Sequence, residues 1–482
     1  MTEIQNDLKD TILRDKDLKV WGTGHTNSFE LCSYGGYMVL KGFNQIHGIE
    51  TFEGEEVVKV DSGVTFSDLN LFLFSQQKAL GYAMPQFGDI SIGGFVANDG
   101  HGSNAAPEGS DIVPLVRTID KMDQRGRITT FAKNCTNHNL WKALMSDQGM
   151  LGITVTVRLK IRELFNLEAR ILNFTDEQVF TPGGMKAIAD ECQNYMGMDW
   201  FTNSGITFVT CGTETTMNVT APDTWNRFAV PYFTLAQLDG YIIDLQEGAC
   251  NETVNHLLES ERIAQLTPMN WIQYALNGQV VDTDIGVGYN FKILEVTALD
   301  YYLNGLVGLP PQVEFEVSIP ESMIDDAMAY IKAFCIQNDL SFPIAGVVVR
   351  VGRYNNESWL GQSSIGEDDS LLGERAYYIE ILEHFPFDFS FAQLDAYLEP
   401  IVEIYRYLVK NFKGRLHTGK NLNNVWLSQE VKDRYSYVVA RFQEFVEEKD
   451  SFGIFSNELA KAIGVEWPKK GQKFSRFYYY KK

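Results

Sequence analysis

The stretch from Pro85 to Asn104, PQFGDISIGGFVANDGHGSN, limits what this chain can fold into more than any other. Five of its twenty residues are glycine, at positions 88, 93, 94, 100 and 102. Because glycine has no Cβ atom, backbone here can adopt positive φ and approach a bulky partner closely. The stretch has no helical period, and ordered loops of this length in compact domains are usually functional. We interpret it as a loop that wraps a ligand, with N–H groups suited to phosphate or a polar ring edge; the alternative is a surface loop that is merely rich in glycine.

Length and charge narrow the range of partners. The chain has 482 residues, a formal charge of −22 and a sequence pI of about 4.8. Its hydrophobic content of 45% is sufficient for a large core, and its length predicts roughly two to four domains. Negative charge of this size disfavours nucleic acid and anionic lipid as partners and fits a small-molecule ligand, although solubility alone explains much of it.

The cysteines and the N-terminal sequence indicate the cellular compartment in which the protein is expected. Six cysteines lie scattered, with no CxxC pair, so neither a metal site nor a disulfide framework is predicted. The first residues, MTEIQNDLKDTILRDKD, contain no apolar segment of the kind found in signal peptides. No window approaches the roughly 18 apolar residues of a membrane span. We therefore expect a cytoplasmic protein, with its oligomeric state left open.

Local patterns place residues 1–165 in an α+β unit. The strand LKVW ends in Gly22-Thr23-Gly24 and His25, a second turn with free N–H groups. Thr65 and Asp68 form a capping pattern that begins a helix. From Ile153 to Ile161 apolar and polar residues alternate, which predicts a half-buried antiparallel strand.

After Glu163 the pattern changes to longer amphipathic segments. Their order predicts a second α+β domain over about 166–404, followed by the motif-like GRLHTGKN at 414–421. The polar, glycine-rich segment Tyr354–Arg375 is predicted to be a mobile loop. The predicted helices are Lys186–Met196, Thr253–Leu266 and Phe391–Phe412, and the predicted strands are Val313–Ile319, Ile344–Val351 and Ala376–Leu382.

Five segments together resemble the vanillyl-alcohol-oxidase-type (PCMH-type) FAD-linked oxidases. They are similar to the branch of alditol and aldonolactone oxidases and of class II cholesterol oxidases, in which flavin is covalently bound. The segments are GTGHTNS, DISIGGFVANDGHGSN, QGMLGITVTV, HTGK and SFGIFSNEL, in family order over almost the whole chain. The region of about 166–340 carries little resemblance, so the substrate is not indicated.

The resemblance implies a fold. It comprises an FAD-binding domain of two subdomains at 1–165 and a substrate or cap domain at 166–404, in which helices cover an antiparallel sheet. A C-terminal segment, 405–482, would return to the FAD domain.

The resemblance also implies FAD, with its pyrophosphate between the 22–28 turn and the 88–103 loop. His25 matches the position that bonds covalently to flavin; the alternative is a turn histidine bonded to backbone. No cysteine lies between 33 and 134, so a second covalent link is not expected. The implied cofactor-binding residues are Gly22, Thr23, Gly24, His25, Thr26, Asn27, Ser28, Pro85, Gly88, Asp89, Ser91, Ile92, Gly93, Gly94, Asn98, His101, Gly102, Ser103, Gly149, Gly152, Ile153 and Lys420.

The implied catalytic residues are Arg350, His417, Lys420 and Ser103. Lys420 would stabilise anionic reduced flavin. His417 would be the matching base or hydrogen-bond partner, with the hydroxyl proton passing to it or to a water that it orders. Ser103 would contact flavin or substrate. The alternatives are an ordinary sheet arginine paired with a surface carboxylate, and a basic surface turn at 417–420. His101 lies near the flavin ring in this interpretation, or else is a loop histidine tied to backbone.

Position 348 departs from the family. In the family an acidic residue precedes the active-site arginine by two positions. In this chain that position is occupied by Val348. A valine suggests a less polar ligand, or a hydroxyl-binding group elsewhere.

These features predict an FAD-dependent oxidation of an alcohol CH–OH group by hydride transfer to flavin N5. Dioxygen would be the acceptor, giving hydrogen peroxide. The branch favours a sugar alcohol or aldonolactone, whereas VANDGHG and Val348 favour a sterol or other apolar alcohol, towards which the interpretation leans slightly. The alternatives are a dehydrogenase that passes electrons to a carrier, a lineage-specific biosynthetic flavoenzyme, and a flavin-binding protein without oxidase activity.

Overall fold

The computed structural model describes residues 18–26, 37–39, 42–85, 87–202, 205–220, 283–294, 312–342, 346–384, 390–450, 453–456 and 458–467. The predicted helix Thr253–Leu266 lies outside these ranges, as do Asn27 and Ser28. The described residues form helices and largely antiparallel sheets, which confirms the predicted α+β class.

The first part of the chain is built around a five-stranded antiparallel sheet. In chain order the described strands of this part, including two further strand pairs, are β1 (Lys19–Trp21), β2 (Tyr37–Val39), β3 (Ile46–Phe52), β4 (Glu55–Asp61), β5 (Lys78–Ala79), β6 (Val116–Met122), β7 (Ile128–Ala132), β8 (Ile153–Lys160) and β9 (Arg162–Glu163). The sheet order is β3-β4-β8-β6-β7, while β1 and β2 form a parallel pair and β5 and β9 an antiparallel one. β8 is central, so it is buried on both faces rather than half-buried as predicted.

Three helices accompany this sheet. They are α1 (Phe66–Ser75), α2 (Ile92–Ala97) and α3 (His138–Leu144). The predicted cap of α1 is confirmed, since Thr65 Oγ1 accepts the Asp68 N–H at 3.2 Å.

Helix α2 lies inside the glycine-rich stretch, where no helix was predicted. Glycine disfavours helix, so the local sequence gives no signal. Burial of Ile92, Phe95 and Val96 outweighs that preference. Gly93 allows the close approach, because a Cβ there would lie 2.6 Å from Ser62 Cβ.

The second part is an eight-stranded sheet in which every neighbouring pair is antiparallel. Its order is β13-β10-β12-β11-β15-β16-β14-β17. The strands are β10 (Asn166–Thr175), β11 (Tyr195–Phe201), β12 (Ile206–Thr215), β13 (Thr283–Tyr289), β14 (Gln312–Pro320), β15 (Val347–Arg353), β16 (Arg375–His384) and β17 (Arg415–Leu416).

Helices of this part pack against the sheet and against one another, and one of them, α10, also packs against α3 of the first part. They are α4 (Asp176–Val179), α5 (Gly184–Cys192), α6 (Asn290–Leu294), α7 (Ile324–Asn338), α8 (Phe391–Asn411), α9 (Asn423–Trp426), α10 (Gln429–Lys449) and α11 (Glu458–Ile463). None of the described helices is long and apolar enough to cross a bilayer.

Strand β14 shows how the larger sheet faces the site. Side chains alternate along a strand, so Phe315 and Val317 point to the apolar, helix-covered side and are fully buried. Glu314 and Glu316 point to the opposite side, towards the loops of the first part. The sequence VEFEV thus describes a strand whose polar face lies inside the protein.

Segment Tyr354–Arg375 is not the exposed mobile loop that its composition predicted. Ser358, Gln362 and Ser363 are fully buried within it. The Arg415 guanidinium donates to the carbonyls of Gly361 and Trp359, at 3.1 and 2.8 Å. The polar groups of this segment form hydrogen bonds with buried protein groups rather than with water.

Cys192, at the end of α5, forms a disulfide with Cys211 of β12. The sequence did not predict this bond. The pair is 19 residues apart in no recognisable spacing, and only the pairing of β11 with β12 brings α5 beside it.

Candidate functional site

Two glycine-containing segments, residues 22–26 and 87–104, lie against each other and form what we call the glycine cradle. A Cβ atom on Gly22 would lie 2.1 Å from Ser91 Oγ, so glycine allows this approach without moving the serine side chain. The Ser91 N–H donates to Thr23 Oγ1 at 3.2 Å. The two segments that the sequence proposed as separate anion sites therefore make one wall.

Gly102 fixes the other end of the cradle. A Cβ on it would lie 2.1 Å from the Tyr82 carbonyl oxygen and 2.6 Å from that of Met84. Since both atoms are backbone, no side-chain rotation could relieve the clash. Gly88 takes part through its carbonyl, which accepts the Ser67 N–H at 2.7 Å. The cradle is thus held by backbone contacts along its length.

The 149–153 turn lies beside the same wall. The Gln148 N–H donates to the Ala97 carbonyl at 3.0 Å, and Lys19 Nζ donates to the Gln148 carbonyl at 3.2 Å. Gly152 has a φ of 116°, and a Cβ there would lie 2.6 Å from the Met122 carbonyl oxygen. These contacts bring Gly149, Gly152 and Ile153 next to β1 and α2.

His25 lies at the edge of the cradle with one ring nitrogen engaged. Its Nε2 is 2.8 Å from Asp89 Oδ2, and its ring stacks at 6.1 Å on Phe87. The carboxylate can only accept, so Nε2 carries a hydrogen, and in the neutral tautomer the lone pair is on Nδ1. Asp89 therefore sets both the tautomer and the direction of the ring.

The HTGK turn joins the cradle to the larger sheet. Thr26 Oγ1 donates to the Gly419 carbonyl at 2.5 Å, and Thr418 Oγ1 donates to Asn98 Oδ1 at 3.1 Å. The His417 N–H donates to the Glu316 carbonyl at 3.0 Å. Segments that are hundreds of residues apart in sequence meet at this turn.

Five charged side chains lie where the turn meets the sheet, and we call them the charged cluster: Glu314, Glu316, Arg350, Glu380 and Lys420. Arg350 Nη2 donates to Glu316 at 2.5 Å and to Glu380 at 2.7 Å. Lys420 Nζ donates to the same two carboxylates, at 2.9 and 2.5 Å, and is 3.6 Å from Glu314.

Glu316 is the buried centre of the charged cluster. Its side chain is fully enclosed, and besides Arg350 and Lys420 it accepts from Gln362 and bonds to His101, each at 2.7 Å. Burial raises the pKa of Glu316, but Lys420, His101 and Arg350 outweigh burial and hold it well below its usual range. Burial lowers the pKa of Lys420, but the carboxylates of Glu316 and Glu380 outweigh burial and raise that pKa above its usual value. Both groups therefore stay charged.

Glu314 differs from its neighbour two residues along β14. Burial raises its pKa, and the nearby carboxylates of Glu380 and Glu316 add to the effect against the opposing charge of Lys420. Glu314 is the carboxylate of the cluster best suited to holding a proton.

His417 is oriented by its own turn. Its Nδ1 accepts the Gly419 N–H at 3.0 Å, so in the neutral ring the hydrogen sits on Nε2. Burial lowers the pKa of His417 to about 3. The ring is therefore neutral near pH 7 and offers an N–H donor, which is not the arrangement expected of the proton acceptor proposed from the sequence.

His101 and Ser103 are buried and bonded to protein. The His101 ring packs on Tyr378 with centroids 3.8 Å apart, in addition to its bond with Glu316. Ser103 Oγ donates to the Met196 carbonyl and accepts the Val351 N–H at 3.1 Å. Ser103 thus ties the cradle to β11 and β15, and its hydroxyl is already used in both directions.

A second pair of acids lies behind the loop and was missed by sequence reasoning. Asp99 and Asp111 are both buried; the Asp111 carboxylate accepts from the Ser363 hydroxyl and, at 2.8 Å, from Tyr378, while Asp99 accepts the Ser363 N–H at 3.1 Å. Burial raises the pKa of Asp99 to about 6 and that of Asp111 to about 8. Acids in a polar glycine loop give no sequence signal for such burial.

Three donors of metal-ligating type, from His101, Glu316 and His417, lie within 4.8 Å of one another. Both oxygens of Glu316 are already bonded to donors, and two of these donors are cations. A divalent ion on the oxygen that faces His101 would replace the bonds of Glu316 to His101 and Gln362, and it would lie beside the cations Arg350 and Lys420 on the other oxygen. The charge arrangement therefore disfavours a metal here.

The cluster also shows where the acid missing at position 348 lies. Val348 pairs directly with Glu380 across β15 and β16, and Glu380 pairs with Glu316 across β16 and β14. Glu314, Glu316 and Glu380 were not among the predicted site residues. Acids at alternate positions of β14, Glu314 and Glu316, were the available signal, but such a pattern usually marks a solvent-exposed sheet face.

The cradle fits a nucleotide cofactor, because its glycines let backbone approach without Cβ atoms. Residues 3–132 match the family described as FAD binding domain. That match identifies a PCMH-type FAD-binding domain at the start of the chain, as predicted.

Solved structures of cholesterol oxidases have a similar fold. A solvent-stable cholesterol oxidase aligns with TM-score 0.71 and 14% identity, covering 94% of this chain and 91% of that one. A histidine-to-alanine mutant of the Brevibacterium sterolicum enzyme gives 0.73 and 13%, covering 96% and 92%. The B. sterolicum enzyme itself gives 0.72 and 14%, with the same coverage. No curated protein sequence matches the chain. At these identities the likeness establishes the fold: an FAD-binding domain joined to a sheet domain.

Proposed function

We propose that this protein is an FAD-dependent oxidoreductase that oxidises a CH–OH group of a small-molecule alcohol, with dioxygen as the final acceptor. The observation that carries the proposal is that the glycine cradle and the charged cluster meet at the HTGK turn. The cradle suits a flat, anionic cofactor, and the cluster supplies fixed cations beside it. The domain limits 1–165, 166–404 and 405–482 are part of the same proposal.

FAD would lie along the cradle. Its pyrophosphate would contact the backbone of residues 22–26 and the start of α2, and its ring would lie towards His101 and Lys420. When bound, FAD accepts a hydride at N5. Lys420 would stabilise negative charge on the reduced ring, because the two carboxylates beside it keep it protonated.

Proton handling in the proposal differs from the sequence-based mechanism. His417 would donate a hydrogen bond from its Nε2–H to the substrate oxygen without transferring the proton, and Arg350 would stabilise charge developing there. Glu314 would accept the hydroxyl proton, because its raised pKa makes it a better base than Glu316. The role of proton acceptor thus moves from His417 to a carboxylate of β14.

His25 is proposed as the covalent attachment point. With Nε2 donating to Asp89, the neutral ring has its lone pair on Nδ1, which would be the nitrogen that bonds the flavin. Acid-precipitated wild-type protein should stay yellow, whereas His25→Ala should release its flavin. Asp89→Asn should lower the covalent fraction without abolishing FAD binding. A colourless wild-type precipitate would refute the covalent link and leave FAD binding intact.

The activity itself is tested by the visible spectrum of purified protein before and after candidate substrates. We expect anaerobic addition of a substrate alcohol to bleach the flavin band, and air to restore it with release of hydrogen peroxide. The panel is xylitol, gulonolactone, cholesterol and an aromatic alcohol. Bleaching that air does not reverse would indicate a dehydrogenase. A flavin that no alcohol reduces would contradict the proposal.

A further inference from the structure

We propose that Glu380 selects and orients the substrate, by accepting a hydrogen bond from a hydroxyl other than the one that reacts. This inference rests on the proposed function and adds a specificity-determining residue to it. It also replaces the slight preference for an apolar alcohol that Val348 suggested.

Acceptor capacity distinguishes Glu380 from Glu316. A carboxylate offers about four lone-pair positions. Glu316 uses them all, on Arg350, Lys420, Gln362 and His101, and its side chain is completely buried. Glu380 has one bond on each oxygen, from Arg350 and Lys420, and its side chain is 10% exposed. Glu380 therefore has acceptor positions left where a ligand can reach them.

Arg350 offers the complementary donor. Its bonds to the two carboxylates both use Nη2, and its side chain is 12% exposed. A hydroxyl group both donates and accepts, so it can bind Glu380 and the exposed part of the Arg350 guanidinium together. An apolar group in the same place would remove the remaining acceptor positions of Glu380 from water without a replacement hydrogen bond, at a cost in affinity.

Val348 occupies the position at which the family has an acid, and Glu380 lies opposite it. It faces Glu380 directly across the strand pair, and side chains opposite each other on one face lie about 4.5–5.5 Å apart at Cβ. The carboxylate of Glu380 on β16 can thus reach the same part of the site as an acid at position 348 on β15. The valine then forms an apolar wall beside the hydroxyl-binding group.

The test measures ligand affinity from the change in the flavin spectrum under anaerobic conditions. Xylitol is compared with n-pentanol, which has the same number of carbons but a single hydroxyl. Wild-type holoprotein should bind xylitol more tightly. Glu380→Gln should weaken xylitol binding about 10- to 100-fold, the effect of losing a hydrogen bond to a charged group, and leave n-pentanol almost unchanged.

Two further variants separate this role from a structural one. Val348→Glu combined with Glu380→Gln should recover much of the xylitol affinity, since it returns a carboxylate from the opposite strand. Glu383→Gln is the matched control, because Glu383 lies three residues along β16 and bonds Tyr397 at 2.6 Å, away from the cluster. It should leave xylitol affinity unchanged.

The outcomes are distinguishable. Equal affinity of wild type and Glu380→Gln for xylitol would overturn the inference, as would tighter binding of n-pentanol than xylitol or a flavin spectrum that xylitol does not perturb. A protein that binds no FAD would overturn the proposed function and this inference with it. A yellow protein that oxidises alcohols while Glu380→Gln behaves as wild type would overturn the inference alone.

Discussion

The glycine cradle and the charged cluster form one site by opposite means. The cradle consists of two short segments whose shape is set by missing Cβ atoms, as at Gly22 and Gly102. The cluster combines charges from three strands and a turn, with Glu316 and Lys420 separated by 104 residues. A cradle made of backbone can be recognised from spacing. A cluster made by strand pairing cannot, because its members are neighbours only after the sheet forms.

The most damaging test of the cluster is Glu316→Leu. It leaves Arg350, Lys420 and His101 facing a buried apolar side chain, and removing one partner of a buried ion pair typically costs about 3–5 kcal/mol. We expect the free energy of unfolding, measured with urea, to fall by this amount. Glu399→Leu is the control, since Glu399 is 52% exposed and should change stability little. Equal stability of wild type and Glu316→Leu would show that the cluster is not a structural centre.

The Gly102→Ala variant tests the cradle by the same measurement, the free energy of unfolding. Its methyl group would clash with two backbone carbonyls, so we expect a loss of about 3 kcal/mol in unfolding free energy, with weaker FAD binding. Gly42→Ala is the matched control, because a Cβ there has open space. A Gly102→Ala protein with wild-type stability and full FAD content would mean that the close backbone contact is not required.

The pH dependence of stability should differ between the two regions. Asp111 has a pKa raised from its ordinary 3.8 to about 8, so its contribution is complete below about pH 4 and is lost as pH rises to 8. Glu316 has a lowered pKa, so its contribution is present above about pH 4.5 and is lost as pH falls.

Asp111→Asn keeps an acceptor for Tyr378 but does not ionise. Between pH 5 and pH 8 the free energy of unfolding of the wild type should fall by about 1–3 kcal/mol because Asp111 ionises. In the variant this fall should be absent, so its profile against pH should be flatter. A wild-type slope in this variant would mean that Asp111 does not titrate in that window.

The smallest effect is expected where the two regions join. Thr418→Val removes the hydroxyl that bonds Asn98, and one such hydrogen bond contributes about 1 kcal/mol. We expect a comparable loss of stability and a modest increase in the FAD dissociation constant. Thr129→Val, at an exposed position, serves as its control. No change in either quantity would show that the HTGK turn is held by other contacts.

Sequence reasoning recovered what is local and missed what is assembled. The cap at Thr65 follows from a short pattern, whereas a shared role for the 22–28 turn and the 88–103 loop followed only from the family resemblance. Helix α2 was missed because tertiary burial outweighed glycine propensity, and the Tyr354–Arg375 segment was misread because its polar groups bond buried partners. Glu380 was missed for the same reason as the Cys192–Cys211 disulfide, since strand register decides both.

The central claim is that the cradle holds FAD, and its most direct test is the flavin content of purified protein. Wild-type protein should be yellow with one FAD per chain, and should keep its flavin through gel filtration. Gly102→Ala should contain much less, and Gly42→Ala the same amount as wild type. A colourless wild-type protein that takes up no FAD on incubation with the cofactor would contradict the account.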